Sequence, residues 1–177
     1  YSPMAGTGLS SHELNQPGTY QDVTDTTVTA QFKAVESILP EQLKSNVPLY
    51  FLAWTTTPWT LPSNTALTVG EKIDYVVVST FNQYTHKAIR VILAKELISK
   101  QFGKKYTQQD DLSNYKAGDK HIPYFIENNL KGKDLIGIRY EQLWSEAPLP
   151  LTNPENAFRI IAGDFVTTED GTGIVHT

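Results

Sequence analysis

The feature that most constrains the fold is a pair of β-prone segments, at 75–80 and 88–93, separated by polar residues. The first of them, Tyr-Val-Val-Val-Ser-Thr, is rich in side chains branched at Cβ, which fit a pleated strand better than a helix. Asn82 and Gln83 lie between the two segments, where polar residues are typical of a turn. The sequence therefore predicts an antiparallel β-hairpin over 75–93.

Most of the remaining sequence also predicts strands. Residues 24–34 alternate between apolar and polar side chains, which indicates a half-buried strand. Residues 48–55 are mostly apolar and indicate a strand that is buried on both faces. Shorter strands are predicted at 65–69, 122–130, 135–140, 158–162 and 165–167.

Helical signals are few and short. A helical turn is predicted within 35–45 and a helix at 94–102, which Gly103 would end. Residues 1–23 are expected to form an entry loop, and the polar segment 104–120 an exposed connector. The expected fold class is therefore mainly β with a few short helices, in a barrel-like arrangement.

Composition limits the classes of function. The 177 residues suffice for one domain with a substantial core. Lys and Arg total 15 against 19 acids, a net charge of -4, whereas a domain that wraps a nucleic-acid duplex normally carries a basic surplus. A single nucleotide end could still be bound. The absence of cysteine excludes disulfides, thiol nucleophiles and thiolate-bound metals, and no apolar segment is long enough to span a membrane.

The common catalytic motifs are missing. The sequence has no Gly-x-Ser-x-Gly elbow and no phosphate loop with its lysine, and its four histidines are scattered without metal-ligand spacing. Glu169 and Asp170 adjoin Gly171 and Gly173, a pattern typical of a turn. The histidine at 176 follows two apolar residues, which by itself favours a core position over a functional one.

One segment stands out, residues 54–64, with the sequence Trp-Thr-Thr-Thr-Pro-Trp-Thr-Leu-Pro-Ser-Asn. It offers a row of neutral hydroxyl groups, held by prolines that restrict the backbone and flanked by aromatic rings. This composition indicates a pocket that binds a polar group by hydrogen bonds and without charge. The composition does not identify the ligand.

The same segment resembles the threonine-rich motif of the isoleucyl-tRNA synthetase editing domain, the insertion called connective peptide 1. Residues 164–177 resemble the second editing motif of that family, and 1–3, 9–10, Glu13, 132–137 and Tyr140 are similar to other parts of it. The resemblance thus runs essentially from end to end. The related valyl and leucyl enzymes carry an arginine where this chain has Thr57, so the isoleucyl member fits best.

The resemblance implies a barrel-like editing domain of the valyl/isoleucyl/leucyl-tRNA synthetase type. Its reaction would be hydrolysis of the ester bond of mischarged valyl-tRNA(Ile), with isoleucyl-tRNA excluded by size. A proofreading step is needed because one methylene group changes binding to an apolar pocket by only about 1–3 kcal/mol, a limit for which this family is the usual example.

The resemblance also implies roles for particular residues. Thr57, Asn64 and Thr56 would be catalytic, with Thr57 and Asn64 near the hydrolytic water and the adenosine. Thr56 and Trp59 would line the amino-acid pocket, and Thr55 and Thr60 would help to bind the substrate. His176 would contact the aliphatic side chain and exclude isoleucine.

The remaining expectations concern context. The partners would be the 3′ end of tRNA(Ile) carrying valine and the rest of the synthetase chain, and the protein would be a cytoplasmic monomer that contacts no membrane. No cofactor or metal is expected for editing, because ATP, and zinc where present, would belong to other domains.

We expect residues 1–177 to be a single editing domain, cut from a larger class I synthetase before the end of its second motif. The family's ammonium-binding aspartate would follow Thr177, so the segment alone would be weakly active or inactive. The alternative is a non-catalytic β-barrel module that binds a nucleoside or a small amino acid; a structural insertion that has lost editing is a third possibility.

Overall fold

The computed structural model describes residues 1–22 and 24–177. Within these residues the chain is mainly strands with a few short helices. The strands are β1 (Val28–Lys33), β2 (Leu49–Thr55), β3 (Ala66–Val69), β4 (Asp74–Phe81), β5 (Ala88–Ala94), β6 (Tyr106–Gln108), β7 (Ile122–Lys131), β8 (Arg159–Ala162) and β9 (Ile174–His176). The α-helices are α1 (Ser11–Leu14) and α2 (Ile98–Gln101), and 3₁₀ turns lie at Glu36–Ile38, Glu41–Leu43, Pro58–Ser63, Lys95–Leu97, Gly132–Asp134 and Pro154–Asn156.

The larger sheet has six strands in the order β1-β2-β5-β4-β7-β6. The predicted hairpin is confirmed, because β4 and β5 pair antiparallel, with Tyr75 opposite Ala94 and Phe81 opposite Ala88. β2 pairs antiparallel with β1 and parallel with β5. These pairings place β2 inside the sheet, as its apolar composition predicts.

The smaller sheet has three strands in the order β8-β3-β9. β3 lies in the centre, parallel to β8 and antiparallel to β9, with Leu67 opposite His176. The described pairings therefore give two sheets. The expected mainly β fold is confirmed, whereas closure of the strands into one barrel is not observed.

The core lies between the two sheets and on both faces of the larger one. The main cluster includes the fully buried Phe32, Phe51, Tyr75, Leu67 and Ile160, contributed by strands of both sheets. A second cluster covers the opposite face of the larger sheet and is formed by Leu52, Val76, Val78, Ile89, Val91, Leu93 and Phe102. Alternate residues of β2 and β4 enter different clusters, so each strand is buried on both faces.

Two predicted strands are wrong. Residues 135–140 form only isolated bridges, Ala34 with Tyr140 and Arg139 with Arg159, because Gly137 adopts a positive φ of 86° that interrupts an extended strand. Leu135 and Ile138 are nevertheless buried, which explains the apolar pattern. Residues 165–167 form no strand either, and Phe165 is 65% exposed.

The segments expected to be irregular contain short regular elements. The entry region includes α1, where Ser10 and Glu13 form a capping box. The expected connector 104–120 contains β6, which pairs parallel with β7 and adds an edge strand to the larger sheet. The predicted helix at 94–102 is present as a 3₁₀ turn followed by α2. The prediction at 1–23 includes Val23, which lies outside the described residues.

Candidate active site

The candidate site lies where the end of β2 meets β9. Thr55 is the last residue of β2, and its Oγ1 lies 3.0 Å from Nε2 of His176 in β9. This hydrogen bond connects the larger sheet to the smaller one. Beside it is a cleft of about 350 Å³, lined by Trp54, Thr55, Thr56, Phe165, Thr167, Glu169, Asp170, Gly171, Thr172, Gly173, Ile174, Val175 and His176.

Three hydroxyl groups continue from His176 into the segment 55–60, and we call Thr55, Thr57 and Thr60 the threonine chain. Thr57 N donates to Thr55 Oγ1 over 3.0 Å, and the two Oγ1 atoms are 3.3 Å apart. Thr60 Oγ1 lies 3.4 Å from Thr57 Oγ1 and donates to the Thr57 carbonyl over 2.7 Å. Since each hydroxyl group can donate and accept, the chain can orient a water or an alcohol without a fixed charge.

The backbone of this segment explains the arrangement. Thr57 precedes a 3₁₀ turn whose first residue is Pro58, and Pro62 lies inside the same turn. Proline is tolerated at the first turn of a helix and fixes φ there. A tight turn brings residues three apart onto one side, which places the hydroxyl groups of Thr57 and Thr60 next to each other.

His176 is only partly accessible. Burial lowers the pKa of its imidazole below the ordinary value of 6.5. The ring is therefore mainly neutral near pH 7, with one nitrogen that accepts and one that donates. Glu169 and Asp170 line the same cleft, and Asp170 is paired with Lys100 over 2.9 Å.

Asn64 is buried and is not among the residues that line the cleft. Its Nδ2 donates to the carbonyls of Ala66 and Thr177, over 2.7 and 3.2 Å, and its Oδ1 accepts from the Tyr140 hydroxyl over 2.6 Å. Burial raises the pKa of Tyr140, which keeps this donor protonated. Asn64 thus holds the start of β3 against the residue that follows β9, and its catalytic role stays a prediction.

The other predicted residues differ in position. Thr56 is exposed and lines the cleft beside Thr55. Trp59 is 69% exposed and is not among the cleft-lining residues. Phe165 also lines the cleft, although it is not among the predicted site residues. The sequence predicts it as part of a strand, and that position gives no indication of a role in binding. The structure thus joins Thr55, Thr57, Thr60 and His176 in one hydrogen-bonded series. Of the predicted site residues, Thr55, Thr56 and His176 line the cleft, whereas Thr57, Thr60 and Asn64 do not.

The turn at residues 171–173, which precedes β9, is held in place by the hydroxyl of Tyr75. The sequence alone does not indicate this role of Tyr75. The Tyr75 hydroxyl donates to the Gly173 carbonyl over 2.6 Å and accepts from Gly70 N over 3.1 Å. Burial raises the pKa of Tyr75 to about 12, so the group remains a donor. The Thr172 carbonyl also accepts from Ala94 N over 2.8 Å, which joins the turn to the end of β5.

Two kinds of feature are absent from the described residues. They contain no group of three or more His, Asp or Glu side chains arranged to hold a metal ion. Nor is any helix among them long and apolar enough to cross a bilayer.

The chain is similar in sequence to known proteins. No protein-family model matches the chain. The chain is 61% identical over 181 residues to an isoleucine–tRNA ligase of Cytophaga hutchinsonii, and 60% identical over 177 residues to one of Bacteroides fragilis. Each match covers 99% of this chain and 15% of the relative, so the chain spans about 15% of the length of these curated relatives.

Solved structures share the fold. GlLeuRS-CP1 matches with a TM-score of 0.56 at 15% identity, over 86% of this chain and 54% of that one. The editing domain of the P. knowlesi cytosolic leucyl-tRNA synthetase matches with a TM-score of 0.55 at 14% identity, over 85% and 57%. Identities this low establish a common architecture. In sequence the chain therefore matches one segment of isoleucine–tRNA ligases, and it has the fold of a CP1 editing domain.

Proposed function

We propose that this segment is the editing domain of an isoleucine–tRNA ligase and hydrolyses the ester bond of valyl-tRNA(Ile). The observation that carries the proposal is the hydrogen-bond series His176–Thr55–Thr57–Thr60 beside a cleft of about 350 Å³. The family relationship supplies the substrate, since the relatives are ligases for isoleucine and tRNA.

The chemistry requires little beyond oriented polar groups. A water oxygen attacks the ester carbonyl carbon, the carbonyl oxygen becomes an oxyanion, and the bond to the ribose oxygen of the terminal adenosine breaks. The products are free valine and an adenosine hydroxyl, which takes up a proton derived from the water. A hydroxyl donor such as that of Thr57 can orient the water or stabilise the oxyanion, which is a large contribution in hydrolytic sites.

In this proposal His176 acts as a size filter, which admits valine and excludes isoleucine. Its ring is fixed by Thr55 and reaches the cleft from β9, where it would contact the aliphatic side chain of the substrate. A rigid wall excludes an extra methylene group by overlap, whereas an apolar pocket only binds it more tightly. Valine would fit and isoleucine would not.

The proposal also covers the partners, the location and the cofactors of the ligase. The 3′ end of tRNA(Ile) carrying valine and the rest of the ligase chain would be the partners of residues 1–177, which act as one editing domain. The ligase would be a cytoplasmic monomer. Editing would use no metal or cofactor, and ATP would be bound elsewhere in the ligase.

The test of the proposal is the substitution His176→Ala in the full-length ligase. We expect the variant to hydrolyse isoleucyl-tRNA(Ile) at a rate within about tenfold of valyl-tRNA(Ile), because the wall that separates them by one methylene is removed. The measurement is the rate of amino-acid release from each charged tRNA.

The matched control is His121→Ala, since His121 is exposed and outside the cleft. That variant should spare isoleucyl-tRNA as the parent does. A His176→Ala ligase that still spares isoleucyl-tRNA contradicts the size-filter role. Binding of valyl-tRNA without any hydrolysis by the parent would instead support the non-catalytic binding module.

A further inference from the structure

A second and larger cleft lies on the opposite face of the six-stranded sheet and is not used by the proposed reaction. Its volume is about 770 Å³, within the range of about 300–1,000 Å³ typical of ligand clefts. Leu52, Ile89, Val91 and Phe102 lie in it, and these residues also belong to the second core cluster. We call it the lysine cleft, because Lys100, Lys104 and Lys105 line it.

Beside these lysines and apolar residues, the lysine cleft is lined by polar, uncharged side chains. Thr29 and Gln31 of β1 line it on one side, and Asn82 and Tyr84 of the β4–β5 turn line it at another. Asn82 Oδ1 accepts from Tyr84 N over 2.9 Å, so the turn that carries the 82%-exposed Tyr84 is held in place. Tyr106 lines the cleft as well.

The charge in the lysine cleft is of one sign. No Asp or Glu is among its lining residues, although the chain as a whole has a net charge of -4. Among the described residues, Lys104 and Lys105 have no carboxylate partner within ion-pair distance. Their loop is fixed at both ends, because Tyr106 N donates to the Gly103 carbonyl and Ile122 N to the Lys105 carbonyl.

The lysine cleft shares a wall with the candidate active site. Gln101 lines the lysine cleft, and its Nε2 donates over 2.9 Å to the carbonyl of Gly171, which lines the active-site cleft. Lys100 also lines the lysine cleft, and its Nζ donates over 2.9 Å to Oδ1 of Asp170, which lines the active-site cleft. A polymer with its end in one cleft can therefore continue past α2 into the other.

We propose that the lysine cleft binds single-stranded RNA, as the nucleotides that precede the substrate's terminal adenosine; this rests on the proposed function. Phosphates pair with Lys104 and Lys105, and a base stacks on the exposed ring of Tyr84. Ribose and base edges form hydrogen bonds with the amides and hydroxyls of β1 and the β4–β5 turn. Positive charge, exposed aromatic rings and neutral polar groups are what single-stranded nucleic acid requires.

The test uses the full-length ligase with Lys104→Gln and Lys105→Gln combined. The probe is a labelled single-stranded RNA of about ten nucleotides, long enough for one site of this class. We expect its affinity to fall about tenfold, and the slope of log affinity against log salt to fall in magnitude by about 1.4, at ~0.7 per phosphate in a single strand. Tyr84→Ala should weaken binding about tenfold with the slope unchanged.

The matched control is Lys72→Gln combined with Lys133→Gln, which changes the charge equally at the opposite end of β4. RNA affinity and salt slope should stay at the parent values. If the control and the cleft variant lose affinity equally, or if neither does, RNA does not bind in this cleft and the proposal is wrong.

The proposed function is assessed separately by hydrolysis of valyl-tRNA(Ile) with the same proteins. The cleft variant should raise the half-saturating concentration of valyl-tRNA and leave the rate at saturation within about twofold of the parent. A parent ligase that binds the RNA through Lys104 and Lys105 but releases no valine overturns the proposed function and leaves the RNA site standing.

Discussion

Replacement of Thr55 by valine is expected to lower the rate of valyl-tRNA(Ile) hydrolysis by the full-length ligase about a hundredfold. Thr55 Oγ1 lies within hydrogen-bond distance of both His176 and the Thr57 hydroxyl, and it also accepts from Thr57 N. Valine keeps the shape of the buried side chain and removes that oxygen. The threonine chain would then lose its fixed position, and a displacement of about 1 Å in a reacting group can cost about a hundredfold in rate.

Thr55→Ser is the control for this prediction, because serine retains Oγ and loses only a methyl group. Its rate should stay within about fivefold of the parent. The rate at saturating valyl-tRNA is the quantity to compare, since it separates the chemical step from binding. Equal rates for the valine and serine variants would show that the Thr55 hydroxyl does not organise the site.

Replacement of Gly173 by alanine is expected to destabilise the chain by about 3 kcal/mol. Gly173 has a positive φ of 71°, which costs a residue with Cβ about 1–2 kcal/mol. Its new methyl group would also lie 2.4 Å from Ala94 Cβ, and such overpacking costs about 1–3 kcal/mol. Because Gly173 precedes β9, the substitution should displace His176 and lower valyl-tRNA hydrolysis as well.

Gly103→Ala is the matched control for stability. Gly103 has no positive φ, and a Cβ built on it meets no atom within 4 Å. Urea-induced unfolding of the 177-residue chain measures both variants. The free energy of unfolding should change by less than about 0.5 kcal/mol in the control. A Gly173→Ala chain as stable as the control would mean that the turn before β9 is not held against β5 as described.

The strands were predictable where their sequence pattern is local. β4 and β5 have β-branched residues on both sides of a polar turn, and they pair as that pattern implies. The segment 135–140 has a similar apolar spacing, yet Gly137 turns the chain so that Leu135 and Ile138 reach the core without a strand. Sequence spacing alone does not distinguish these two ways of burying apolar side chains.

The site was predictable to the extent that its residues are neighbours in sequence. Thr55, Thr57 and Thr60 are close in sequence, at the end of β2 and in the 3₁₀ turn that follows, so the composition of residues 54–64 alone indicated an uncharged polar pocket. His176 is 121 positions from Thr55, and only the family resemblance connected them. The bond from Tyr140 to Asn64 spans 76 positions and had no local signal, so the occupied amide of Asn64 could not be predicted.

The most direct test of the editing assignment is single-turnover hydrolysis of valyl-tRNA(Ile) by the full-length ligase and by its Thr57→Ala variant. Thr57 joins Thr55 to Thr60, and loss of one oriented donor to an oxyanion costs about 10²–10³-fold in hydrolytic sites. We expect the parent to release valine and the variant to be slower by about that factor, with isoleucylation of tRNA unchanged in both. Equal rates of valine release by the two proteins, or none by the parent, would contradict the assignment.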